Sequence, residues 1–541
     1  MTLDQLTVKD FDELVRTYGS GTKAARAINV ARSTFQDAYA RARKTLFGSR
    51  DNVKYRIIEE TNKPQYFILS SAQDGTVPDA AFLTNLQAYA EYIDAEIMIS
   101  GFSYNKSLFE THNKDKVGYH SDIEPYMTSE RVMIGSQLLF CGEMNTLPTA
   151  VTPLSGFHNY TGEMSGIFPH PKVQLESVPT LGTEKSKVLM TTGCVTKPNY
   201  VPKKAGIKAE YHHIIGAVIV ELRTDGRFFS RHLIAAEDGS FFDLDRFVGN
   251  GEVTTRNRVE AITWGDIHTN KLNENICYGA WGYQFVTNFF GDEGEKEFMH
   301  EDYVSLCGRL GPSYQFFHDV LDFEVRNHHN IHDHIFRYKQ HINEETVEHE
   351  ILRVRDFLRE TSFDGCQSVV VESNHDLAFG RWLKTADYRH DPANAKFFLE
   401  CQLKLYENIN DDDYSIFIDV MVDNLQGYEN SITFLSQDKS FKICEWSYGG
   451  IECALHGHNG LNGARPNYKS FTKIGTRCNL GHSHSPAIYE GVYQAGITCN
   501  KRLGYNVGPS SWDWAHIVTY DNAKRAIVFM DECGEYTTLP F

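Results

Sequence analysis

Apolar residues along this chain alternate between short continuous runs and runs at helical spacing. Tyr66 to Ser71 reads as a buried strand, Ala80 to Ile93 as an amphipathic helix and Ala95 to Phe102 as a second strand, a βαβ-like unit. Further strands are expected over Lys187 to Thr192, His213 to Leu222 and Phe228 to Ile234, with Asp225-Gly226 and Asp238-Gly239 as hairpin turns. Beyond position 250 the apolar runs are short: Val259 to Trp264, Gln367 to Glu372, Ile451 to Leu455 and Cys478 to Leu480. Val347, Ile351, Val354 and Leu358 mark one face of a helix among them.

The first fifty residues have a different pattern. Ala24, Ala25 and Ile28 sit at helical spacing, Asn29-Val30 breaks the run, and Ala31 to Leu46 resumes it. This resembles a helix-turn-helix, whose second helix sets short polar side chains against base edges. Charge strengthens that picture: from Arg16 to Arg50 the only acid is Asp37, whereas the 541-residue chain carries a net charge of −18. A polyanion would therefore meet this island, with Lys23, Arg26, Arg32, Ser33, Thr34, Arg41, Arg43 and Lys44 as candidate DNA contacts. The alternative is a helical cap with a solvated basic face.

Composition narrows the class. A 41% hydrophobic and 23% charged chain is expected to fold as two or three domains. No run approaches the ~18 apolar residues of a membrane span, so no membrane association and a cytoplasmic location are expected. Eleven cysteines without a CxxC pair read as reduced thiols rather than a disulfide framework. No GxGxxG or GxxxxGK[ST] loop follows the early strands, so a nucleotide cofactor there is unsupported.

Candidate chemistry sits where strands end. Val259 to Trp264 stops at Gly265-Asp266-Ile267-His268, and His318-Asp319-Val320-Leu321-Asp322 follows a helical stretch. Gln367 to Glu372 ends in Ser373-Asn374-His375-Asp376, Ile451 to Leu455 leads into His456-Gly457-His458, and Cys478 to Leu480 into Gly481-His482-Ser483-His484. Each block alone is a weak signal, and their order is the informative feature.

That ordered series resembles the calcineurin-like metallophosphoesterase superfamily over roughly the C-terminal half. Departures are His318 and Ser373 where that superfamily usually has Gly, and the long interval between Asp319 and Asn374. The resemblance implies an α/β fold: a two-sheet sandwich flanked by helices over residues 251–541, preceded by an accessory α/β domain over 51–250 and the helix-turn-helix-like domain over 1–50. It implies two divalent metal ions, one held by Asp266, His268 and His484, the other by Asn374, His456 and His482, with Asp319 bridging. Phosphate-ester hydrolysis by a hydroxide activated between the two ions would follow. His375 would stabilise the phosphoryl group or protonate the leaving oxygen, Asp376 would orient it, and Asp322 would stand behind the ligands. Mixed N/O ligands favour Mn, with Fe, Zn or Mg as alternatives.

Joined to a basic cap, such a centre makes most sense as a DNA nuclease. The layout also resembles the early DNA-degrading nucleases of lytic phages, which implies a homo-oligomer acting on host DNA in the bacterial cytoplasm. The rival enzyme readings are a phosphatase or cyclic-nucleotide phosphodiesterase; a rival of another class is an inactive DNA-binding regulator. His212 and His213 are read as structural, and the cluster His328, His329, His332, His334 and His341 as a solvated insertion more than a third metal site. Trp512 and Trp514, after Gly508-Pro509, are candidates for a rim loop that stacks a base, or else buried aromatics.

Overall fold

The computed structural model describes residues 8–18, 20–46, 53–103, 118–181, 186–291, 304–504 and 506–541, with the isolated positions 3 and 6. The N-terminal helices run Val8–Tyr18, Gly21–Ala27 and Arg32–Leu46. Ser20 caps the second helix by accepting from the Lys23 amide, and Asn29, with φ +57°, turns the chain into the third. Phe11, Ala24, Ala25, Phe35 and Ala38 form a miniature core of their own. Because those positions face inward, Lys23, Arg26, Arg32, Ser33 and Thr34 are left exposed. The side chains of Arg41, Arg43 and Lys44 lie outside the described residues.

The expected βαβ unit forms. Strands Gln65–Gln73 and Ala95–Phe102 pair in parallel, joined by helix Ala80–Ile93, which Asp79 caps at its start. Gly216–Leu222 then pairs antiparallel with Gln65–Gln73, and Phe228–Ile234 with Gly216–Leu222, giving a five-stranded sheet edged by Met127–Thr128.

A six-stranded sheet carries the later blocks. Its order is Ile432–Leu435, Gln367–Val371, Tyr314–His318, Ala261–Thr263, Ala515–Thr519 and Arg525–Phe529; the first four are parallel and the last two antiparallel. One face packs on helices including Glu274–Trp281, Val347–Glu360, Asp376–Thr385 and Ile416–Asn424 through a core with Trp264, Phe317, Phe357 and Phe379. Across the other face, Ala261, Phe316, Val369 and Val371 meet Ile443, Ile451 and Cys453 of a second sheet.

That second sheet corrects the expected domain plan. It has eleven strands, and Gln174–Val178 pairs with Ala487–Tyr489, so one sheet runs from Tyr55–Ile58 through to Lys442–Ile443. The boundary near 250 therefore does not separate two bodies. A further core cluster mixes Phe67, Met98 and Val218 with Ile488, Ala515 and Ile527, crossing the same position. Sequence periodicity identifies strands but not partners some three hundred residues away.

A buried ion network reinforces the junction. Arg231, 2% exposed on the edge strand of the five-stranded sheet, pairs with Glu221 on the neighbouring strand and with Asp243. Thr537 and Thr538 donate to the same Glu221, each at 2.8 Å, while Arg309 donates to the carbonyls of Leu539 and Pro540 at 2.9 Å. Residues 537–540 thus tie the early sheet to helix Leu306–Leu310. No described helix is long and apolar enough to cross a membrane. All eleven cysteines are free thiols, ten of them buried.

Removing Arg231 would leave two carboxylates buried without their counter-charge, a loss of about 3–5 kcal/mol. Urea unfolding of Arg231→Ala should show a midpoint lowered accordingly. An unchanged midpoint would mean that the network is energetically neutral.

Candidate metal centre

Ligand-bearing loops leave the same end of the six-stranded sheet because its central strands are parallel. After Ala261–Thr263 the chain keeps pace with its neighbour: the amides of Ile267 and His268 donate to the carbonyls of His318 and Asp319 at 3.0 and 2.7 Å. Asp266 is fixed from the other side, its carbonyl accepting from the Thr498 amide at 2.9 Å. Gly481 donates its amide to the His456 carbonyl at 2.9 Å, linking the two histidine loops. A Cβ at Gly481 would collide with Asp266 Oδ1 and crowd the His318 ring at 3.2 Å, so this approach requires glycine.

The side chains gather into three adjoining groups of ligand atoms, each within 4.8 Å: Asp266, His268, Asp319 and His484; Asp319, His456 and His482; and His268, Asp322 and His375. Asp319 belongs to the first two. His484 Nε2 lies 3.0 Å from Asp266 Oδ2, His456 Nε2 lies 3.4 Å from Asp319 Oδ2, and Asn374 Oδ1 is 3.2 Å from the same His456 nitrogen. The loops therefore bring together all seven residues expected to ligate metal. His268, Asp319, His482 and His484 all have positive φ, between 48° and 71°, a conformation disfavoured for side-chain-bearing residues and typical of strained functional loops.

Electrostatics show what the centre lacks. Burial alone would raise the Asp319 carboxyl, but the His456 and His375 imidazoles hold it well below its usual range. His268 is pushed up to about 9: burial opposes its charge, and the Asp322 hydrogen bond together with the Asp319 carboxylate outweighs burial. The buried atoms Asp266 Oδ1, Asp319 Oδ1, His456 Nδ1 and His484 Nδ1 have no hydrogen-bond partner. Two imidazole nitrogens, His268 Nε2 and His484 Nε2, face each other at 3.2 Å. A set of hard oxygens and imidazoles with unsatisfied buried atoms fits divalent cations.

Behind these ligands the structure assigns parts that the sequence blocks did not. Asp322 accepts from His268 Nδ1 at 3.1 Å, and His375 Nδ1 bonds the Asp322 carbonyl at 3.0 Å. Asp376 does not orient His375, which corrects the expectation from the motif. Its carboxylate accepts the amides of Leu321 at 3.1 Å and Ser373 at 2.8 Å, pinning two ligand loops, and burial plus the Asp319 charge pushes it up to about 8. Glu350 performs a similar task on the Asp322 side, accepting the Glu324 amide at 2.8 Å; burial and the Asp322 charge push it up to about 8. Its position on the apolar face of Val347–Glu360 was a readable signal, an acid in a hydrophobic register. His318 is fully buried against Gly481 and stacks near His456 with ring centroids 5.6 Å apart; burial and the His456 charge lower it to about 4.

The remaining candidates separate clearly. Trp512 lies against His484, ring centroids 4.1 Å apart, whereas Trp514 donates its indole N–H to the Cys499 carbonyl. His213 bonds Tyr200 and the Thr196 carbonyl, both at 2.7 Å. Among the described residues, His328, His329, His332, His334 and His341 form no metal-ligating group.

No family model matches the chain. A relative, described as Protein A1 of Escherichia phage T5, is 38% identical over 484 residues, covering 87% of this chain and 82% of that protein.

Three outcomes follow from this geometry. Asp376→Ala strands two buried amides, each costing about 1–3 kcal/mol, and denaturant titration should show a loss of that order while the ligands themselves remain. Mn at a hundredfold excess over its Kd should stabilise the full chain by about 2.7 kcal/mol, and Asp319→Ala should abolish the gain. Because metal must displace the His268 proton below pH of about 9, calorimetry near neutrality should record proton release.

Proposed function

We propose, from the premise that this chain belongs to the same family as Protein A1 of phage T5, that it is a phage-encoded, metal-dependent nuclease that hydrolyses DNA phosphodiester bonds. The observation that carries the reading is the pair of ligand groups sharing Asp319 at the end of one parallel sheet. Their order along the chain and their joint burial support a calcineurin-like metallophosphoesterase centre. Asp266, His268 and His484 would hold one ion, Asn374, His456 and His482 a second, and Asp319 both. When bound, such ions neutralise phosphate charge and make water acidic enough to deprotonate near neutral pH.

The chain's own residues account for the rest. His375 is the most open imidazole of the third group, its side chain 21% exposed at the mouth of the buried cluster. With Nδ1 engaged by the Asp322 carbonyl, Nε2 is the atom that would hold the proton for the leaving oxygen. Asp322 therefore fixes the tautomers of both His268 and His375. The N-terminal helices support DNA as the long substrate, since Arg32, Ser33 and Thr34 stand exposed at the start of Arg32–Leu46 as a recognition helix requires. Action on host DNA in the bacterial cytoplasm, as a homo-oligomer, completes the reading.

Supercoiled plasmid should be nicked or degraded with Mn and remain intact in excess chelator. His375→Ala should retain metal and lose about 10² to 10⁴ in rate. Good turnover of a mono-aryl phosphate with intact plasmid across several metals would replace the nuclease with a phosphatase. A chain lacking residues 1–50 should still hydrolyse a bis-aryl phosphate and bind long DNA more weakly, with a shallower salt dependence. Equal binding would make the N-terminal helices an assembly cap.

A further inference from the structure

A cleft of about 610 Å³ opens where the six-stranded sheet meets strand Phe228–Ile234, and two segments from the metal centre run into its walls. The first wall is 512–514: Trp512 lies on His484, the Asp513 amide donates to the His484 carbonyl at 3.3 Å, and Trp514 follows. The second is 498–502: Thr498 is bonded to Asp266, and Asn500, Lys501 and Arg502 continue outward. Each lining segment, 500–502 and 513–514, is thus preceded by a residue in contact with a candidate ligand.

The lining has two chemistries. Half-buried Phe228, Phe529 and Trp514 give the floor an aromatic lining. Lys501 lies 4.1 Å over one face of the Trp514 ring and 2.6 Å from Asp513, which leaves the other face to the floor and neutralises that acid. Asp531, on the opposite side, is taken up by Arg223 and Arg227 at 3.1 and 2.8 Å. Arg502 is exposed, and one of its amino groups is steadied by the Gly508 carbonyl at 2.9 Å. The volume falls within the roughly 300–1,000 Å³ of sites for small organic ligands.

We propose that this cleft is a nucleotide subsite: it takes one unpaired nucleotide of the strand being cut, its base on the aromatic floor and its phosphate toward Lys501 and Arg502. The inference rests on the nuclease reading and deepens it, because a strand held there has one nucleotide out of the stack beside the scissile bond. The enzyme then grips single-stranded or frayed DNA through the cleft, and duplex DNA through its N-terminal helices.

The test is fluorescence anisotropy of a labelled eight-nucleotide oligo-dT and of a hairpin duplex with the full chain, in chelator so that nothing is cut. Trp514→Leu should weaken oligo-dT binding roughly ten- to hundredfold, the range of one lost base–aromatic stack. Arg502→Gln, at an exposed position that leaves the fold intact, should weaken it several-fold and flatten its salt dependence. Hairpin binding should change less than twofold in both. Oligo-dT affinity equal to that of the parent chain in Arg502→Gln, or an equal loss for hairpin and oligo-dT, overturns the subsite. Plasmid cleavage with Mn is scored separately: intact plasmid overturns the nuclease reading, whereas cleaved plasmid with unaltered oligo-dT binding overturns only the cleft.

Discussion

Three carboxylates with almost no access to water, Asp266, Asp319 and Asp322, sit within one small cluster, and the surrounding structure is organised by the need to neutralise them. Like charges in a low-dielectric interior repel strongly, and an isolated buried carboxylate would take up a proton. Here an imidazole stands at one oxygen of each carboxylate, and the imidazole charge keeps Asp319 ionised. Holding those groups together requires backbone that ordinary strands do not supply. The left-handed residues at four ligand positions and the close glycine at 481 are the cost, and well-packed helices on one face and a second sheet on the other hold them in place.

A second tier of acids keeps the first in register. Asp376 and Glu350 spend their hydrogen-bonding capacity on backbone amides of the loops that carry ligands. Both are buried next to existing negative charge, which favours their neutral forms. The centre thus separates two uses of a carboxyl group: those facing the ligand cluster stay charged, and those behind it serve as loop anchors.

Much of this was legible in the sequence, for a physical reason. The candidate ligands follow strands whose ends are marked by a change from apolar to polar residues, so Asp266, Asn374, His456 and His482 announce themselves locally. The helix Ala80–Ile93 and the strands Ala95–Phe102 and Phe228–Ile234 were likewise set by local periodicity. What stayed hidden depends on contacts between distant segments. The Asp376 bond to Leu321, the packing of Trp512 on His484 and the pairing of Gln174–Val178 with Ala487–Tyr489 join residues that no local pattern relates. Asp376 follows His375 in sequence, but its carboxylate turns to the amides of Leu321 and Ser373.

The eleven-stranded sheet, with edges in different halves of the polypeptide, has an evolutionary consequence. A centre confined to residues 251–541 could be inherited as a cassette, moved by recombination and joined to new partners. Here a crossover near 250 would cut the ladder between Leu175 and Ile488 and expose raw sheet edges in both fragments. The two halves must therefore descend together, and variation in lineage should enter through appended pieces such as the N-terminal helices, whose small core closes on itself.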